Sequence, residues 1–148
     1  RDQFTHLTFT LCCRLMNKHS VIATYYQRVG GEPGVRALVT RFYELMDTLP
    51  ELADIRALHP QDLTYVKETL FEFLSGWLGG PALYVEKYGH PRLRRRHLGF
   101  AIGIRERDQW LLCMQQAMND IGLEQRLQQE LYQNFYQIAD HLRNQPNE

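Results

Sequence analysis

Two chemical groups stand apart in this chain: the imidazole of His97, which closes the run Pro91-Arg92-Leu93-Arg94-Arg95-Arg96-His97, and the indole of Trp110, thirteen residues further on. An imidazole binds a metal such as iron through one nitrogen, and a single protein ligand leaves a coordination position open to a small molecule. An indole N–H donates a hydrogen bond and cannot accept one, while Tyr43 and His59 can donate as well. Each residue also has an ordinary reading. His97 can be a solvated residue stabilising a helix C-terminus, Trp110 a core aromatic, and Tyr43 a helix-face residue with its hydroxyl at the surface.

Positioning these groups falls to helices. Gly30-Gly31 stops a short first segment and Pro33 suits the first turn of the next, where Val35, Leu38, Val39, Phe42 and Met46 repeat at helical spacing beside Tyr43. Pro50 and Pro60 bracket short turns, and Asp62 or Thr64 is the expected N-cap of a helix striped by Val66, Leu70, Phe73, Leu74 and Trp77. Gly79-Gly80-Pro81 and Gly89-His90-Pro91 are breaks, so Arg92–His97 is about one and a half turns with His97 at its end. Two further stripes follow, Trp110 to Ile121 and Leu127 to Leu142. No segment alternates with period two, and the chain reads as all-α.

With 148 residues, 44% of them hydrophobic, there is material for one core and not for a second domain. Seventeen basic residues offset seventeen acidic ones, so no general field draws the chain to nucleic acid or to an anionic membrane. Apolar runs fall short of the roughly 20 residues that cross a bilayer. Three cysteines, two of them the adjacent Cys12 and Cys13, suggest a reducing, cytoplasmic setting, and no CxxC or HExxH supports zinc. Residues 1–15 lack a helical period and are expected to be a disordered or non-native leader, with 16–148 a single domain.

The order of features carries more than any one of them: Gly30-Gly31 before Phe42-Tyr43, then Trp77-Leu78-Gly79-Gly80-Pro81, Tyr88-Gly89-His90-Pro91, Leu93-Arg94-Arg95-Arg96-His97 and Arg107-Asp108-Gln109-Trp110-Leu111-Leu112-Cys113-Met114. Over about Tyr25 to Leu142 this order closely resembles the group II, or O-type, truncated haemoglobins. The resemblance implies a truncated globin, a two-over-two helical sandwich around one haem, with haem b (iron protoporphyrin IX) as cofactor. It implies His97 as proximal iron ligand, Tyr43 and Trp110 as distal polar residues, and His59 in the distal position before Pro60. Many members have tyrosine where this chain has His59, a departure that bears on the distal hydrogen-bond pattern. Val66 and Leu70 become the apolar residues above the ring, with Phe73 among the cofactor contacts and a packed side chain under either reading. Arg96 and Tyr84, then Arg94, are assigned to the haem propionates through charge-assisted hydrogen bonds.

The function so implied is binding of dioxygen, carbon monoxide and nitric oxide at a five-coordinate iron. A dioxygen ligand gathers negative charge, and a hydrogen bond to a charged group contributes about 1.5–3 kcal/mol, so one donor changes release by roughly ten- to a hundredfold. Oxygen is therefore expected to be held tightly. Tight retention fits chemistry on the ligand, such as nitric oxide dioxygenation or peroxide reduction, better than it fits oxygen transport. Such turnover needs a separate, unidentified reductase, since nothing in these 148 residues resembles a flavin or nicotinamide domain. The rivals are a ligand sensor with a separate output partner and a cofactor-free helical interaction module. No nucleic-acid or membrane partner is expected, and the assembly is expected to be a monomer or weak homodimer. The arginine run is short and has no aromatic platform for nucleic acid.

Overall fold

The computed structural model describes residues 22–147, so the expected leader, with Cys12 and Cys13, lies outside the described residues. A short helix α1 (Tyr25–Val29) opens on a capping box between Thr24 and Gln27. Gly30, at φ 115, takes the left-handed conformation that ends α1 and turns the chain into α2 (Gly31–Thr48). After the 3-10 turn Pro50–Leu52 come α3 (Ala53–Ala57), α4 (Thr64–Trp77), α5 (Leu83–Tyr88), α6 (Leu93–His97), α7 (Ile104–Asp120) and α8 (Gln125–His141). There are no strands among the described residues, as the patterning requires.

Helix α2 packs against both α4 and α7, and α7 against α8, so one helix pair lies over the other. The stripe on α2 predicts its buried face well: Val35, Leu38, Val39, Phe42, Tyr43 and Met46 are all buried. They meet Leu111, Met114 and Met118 of α7 and Leu127, Leu131 and Phe135 of α8 in one cluster. The Cys113 thiol donates to the Phe42 carbonyl at 3.1 Å, and burial pushes its pKa up to about 12. That sulfur is a structural side chain and not a nucleophile.

Helix α4 departs from its stripe. The residues it sinks into the core are Phe71 and Leu74 with Glu72 and Ser75, whereas Val66, Leu70, Phe73 and Trp77 are only partly buried. Val66, Leu70 and Phe73 retain exposure because they face a cavity rather than a neighbouring helix. The buried Glu72 carboxylate lies 3.4 Å from the Lys87 ammonium. The cap also differs from the expected one. Leu63 occupies the N-cap position, and Asp62, one residue earlier, accepts from the Thr64 N–H at 2.9 Å.

Gly34 allows α1 and α2 to approach closely, since a methyl group there would overlap the Val29 carbonyl. Gly34→Ala should therefore destabilise the fold by about 1–3 kcal/mol, although alanine is the better helix former by about 1 kcal/mol. Thermal unfolding checks this, with a midpoint several degrees below that of the parent expected.

Candidate functional site

A cavity of about 310 Å3 lies between the two helix pairs, near the lower end of the range of about 300–1,000 Å3 usual for small-molecule and cofactor sites. Its walls come from every long helix. Tyr43 projects from α2, Val66, Leu70 and Phe73 from α4, Trp110 from α7, and Ile138 from α8. His59 reaches it from the turn after α3, and His97 from the end of α6.

The half-buried His97 ring is held by its own helix. Its Nδ1 lies 2.6 Å from the Leu93 carbonyl, one turn back. Donation from Nδ1–H assigns the tautomer in which Nε2 keeps its lone pair, the arrangement that ligating histidines use. The Asn144 amide donates to the carbonyls of His97, at 3.2 Å, and Phe100, at 2.7 Å, fixing the chain just after α6.

Three polar side chains share the remaining walls. His59 Nδ1 lies 2.7 Å from the Ile55 carbonyl, and the ring sits edge-on to Tyr43 with centroids 5.9 Å apart. Burial holds the His59 pKa below the ordinary histidine range; the Ile55 carbonyl works the other way, and the charges of Arg56 and His97 add to the lowering. At neutral pH its Nδ1 therefore donates to backbone and its Nε2 is an acceptor. Burial pushes the Tyr43 phenol up, with a smaller contribution from Cys113, so its hydroxyl remains a neutral donor. Trp110 is wedged between Phe42 and Phe135, at ring centroid distances of 5.4 and 5.5 Å. Among the described residues no sealed side-chain nitrogen or oxygen lacks a partner, and neither the Tyr43 hydroxyl nor the Trp110 N–H bonds to another of these residues. Both residues line the cavity.

The lowered His59 pKa carries a consequence for stability. An unfolded histidine titrates near pH 6.5, so as pH falls below about 6.5 the unfolded chain gains a proton before the folded one does. His59 thus favours folding above that pH and ceases to do so as pH drops through its folded value. Denaturant titrations from pH 7.5 to 5 should show stability falling with a slope of at most one proton. His59→Phe should flatten that segment.

The residues read as propionate partners lie elsewhere. Tyr84 is buried against Phe73, ring centroids 6.1 Å apart, and the Arg96 guanidinium lies 5.6 Å from its ring centre. Arg94 donates to the His141 carbonyl at 3.3 Å, at the end of α8. None of the three is on the cavity wall, whereas Arg107 is and was missed. Its guanidinium is 2.8 Å from Asp140 and 2.9 Å from Asp108, so it brings a neutralised charge to the apolar wall. Helical spacing held the signal: Arg107 precedes Trp110 by three residues and must share its face.

Two helix pairs laid over each other, enclosing an apolar cavity with two imidazoles, a phenol and an indole on its walls, define a globin of shortened form. The model of the family "Bacterial-like globin" matches residues 24–144. The chain is 41% identical over 115 residues to the group 2 truncated hemoglobin YjbI of Bacillus subtilis, covering 78% of this chain and 85% of that protein. Among solved structures it superposes on the group II 2-on-2 hemoglobin of Agrobacterium tumefaciens with a TM-score of 0.82 at 48% identity, covering 86% of this chain and 98% of that one. A truncated oxygen-avid haemoglobin from Bacillus subtilis gives 0.75 at 38% identity, covering 82% and 100%. The chain belongs to the bacterial-like globin family, and within it to the group 2 truncated haemoglobins.

Membership brings haem-based binding of diatomic gases such as dioxygen. The residues present fit the cofactor. A macrocycle needs a largely apolar slot, and Val66, Leu70, Phe73, Leu93 and Ile138 supply one. Its iron needs a nitrogen with a free lone pair, which the Leu93 carbonyl secures at His97. Among the described residues no cluster of three or more His, Cys, Asp and Glu could hold a bare metal ion, so His97 could ligate a metal only through a group that brings its own remaining ligands.

Proposed function

We propose that His97 Nε2 is the single protein ligand of haem b, and that the resulting five-coordinate iron binds dioxygen, carbon monoxide and nitric oxide, with dioxygen retained tightly. The observation that carries this reading is the convergence of His97, Tyr43, His59 and Trp110 on one cavity from four separate elements. Haem supplies the redox-active iron; the chain orients it and excludes water. The two donors over the ligand are Tyr43 and Trp110. His59, with Nδ1 committed to Ile55, packs edge-on against the Tyr43 ring and fixes that side of the pocket. Arg94 and Arg96 are carried by α6 itself and Tyr84 packs beside Arg96, and these three are proposed to meet the propionates at the rim. The relative described as oxygen-avid supports tight retention.

Retention favours reaction at the ligand over delivery, and nitric oxide dioxygenation or peroxide reduction would then draw electrons from a separate reductase. The protein is proposed to act as a monomer or weak homodimer with residues 16–148 as its one domain. Absorption spectra of the purified chain in ferric, ferrous and carbonmonoxy forms test the central claim. Bands of a histidine-ligated haem with an open sixth position are expected. A colourless protein after expression with haem supply would leave only the cofactor-free module.

A further inference from the structure

Every arginine among the described residues outside one short segment has a carboxylate oxygen within 4.0 Å. The exceptions are Arg92, Arg94, Arg95 and Arg96, although the chain as a whole carries zero formal charge. All four are exposed and belong to α6 and its cap, the helix that ends in His97. Unpaired arginines among the described residues are thus gathered in the one place where the proposed iron ligand is presented. Two haem propionates would neutralise at most two of the four charges, so a positive patch survives cofactor binding. Beside it lie two exposed apolar side chains, Leu98 at 59% and Phe100 at 43% exposure, and Phe100 also lines the cavity.

From this juxtaposition, and resting on the haem reading above, we propose that the face formed by Arg92, Arg95, Leu98 and Phe100 docks an acidic one-electron carrier protein that reduces the haem. A basic rim around a small apolar centre complements a carboxylate-rich face and speeds encounter more than it tightens the complex. That suits a carrier, whose interface must be small and short-lived. Position decides against an anionic membrane or nucleic acid. Neither has a reason to meet the cofactor's own helix, whereas electron transfer demands the shortest path to the macrocycle edge. In the step itself the carrier loses one electron and is oxidised, ferric haem gains it and becomes ferrous, and no bond or proton changes hands.

The test mixes the haem-loaded full chain with reduced plant-type [2Fe–2S] ferredoxin under carbon monoxide, reading reduction as growth of the carbonmonoxy band. The double variant Arg92→Gln, Arg95→Glu should react about tenfold or more slowly at an ionic strength of about 0.01 M, and the gap should close near about 1 M, where charges are screened within about 3 Å. Its visible spectrum and oxygen release rate should match the parent's. Arg126→Glu, roughly 22 Å along α8 from the His141 end, is the control and should leave the rate within about twofold. Amide shifts induced by ferredoxin should cluster on α6 and Leu98–Phe100 in the parent and vanish in the double variant. Equal rates for parent and double variant, equal slowing by the control, or no ferredoxin-induced shifts would overturn the proposal. So would loss of binding to phosphatidylserine-containing vesicles in the double variant with ferredoxin reduction unchanged, which would make the patch a membrane site. A chain that takes up no haem sinks the functional reading, and the amide shifts still decide the docking face.

Discussion

Replacing His97 with glycine is expected to release haem at least about a hundredfold faster, and millimolar imidazole is expected to restore both the cofactor and its visible bands. The magnitude follows from comparison. Disturbing a hydrogen bond behind a metal ligand costs about ten- to a hundredfold in metal affinity, so deleting the ligand must cost at least the upper end of that range. The apolar walls still favour the macrocycle, and for that reason the loss is measured as a transfer rate to an acceptor protein rather than as presence or absence. His97 lies half-exposed at the end of a five-residue helix, so its removal leaves the core clusters of α2, α7 and α8 untouched. A fold that unravels would not be rescued by free imidazole, and rescue therefore separates ligation from stability. An unaltered spectrum with full haem retention in the glycine variant would remove His97 from its role.

The dependence on Leu93 makes the same point from the backbone. A ring whose Nδ1 is tied 2.6 Å from a carbonyl cannot turn over, and Nε2 is aimed without further help. This detail was beyond reach of the amino-acid pattern, which places His97 at a helix end but says nothing about which nitrogen is free. By contrast, the α2, α7 and α8 stripes were legible, because a helix buried on one face by other helices leaves a regular apolar period. Helix α4 shows where that logic stops. Val66, Leu70 and Phe73 are apolar for the same reason that core residues are, and periodicity cannot distinguish a face that meets a helix from one that meets a cavity. Arg107 was hidden for a related reason. A charged residue on an apolar face reads as solvated until Asp140, thirty-three positions later, is seen to neutralise it. Tyr84 and Arg96 came out as neighbours of each other rather than of the cavity, since the contact between α5 and α6 depends on the turn at Gly89 and not on any period.

Converting Trp110 to phenylalanine is expected to raise the oxygen dissociation rate by roughly ten- to a hundredfold, the equivalent of about 1.5–3 kcal/mol for a hydrogen bond to a charged acceptor. The exchange keeps an aromatic ring between Phe42 and Phe135, so most of the packing survives while the one N–H is lost. A smaller ring also leaves extra space, and a change in access would alter every gas alike. Carbon monoxide resolves the two effects, because it gathers little negative charge and gains little from a donor. Its release should change by less than about threefold in the same variant. Tyr43→Phe is the complementary case, since it removes a hydroxyl and no bulk, and its effect on oxygen should exceed its effect on carbon monoxide as well. If the two donors address the same ligand, the double variant will fall short of the product of the single effects or exceed it, because neighbouring groups sharing one partner are not additive. Equal acceleration of both gases in Trp110→Phe would reduce the indole to a space-filling side chain, leaving Tyr43 alone to account for retention.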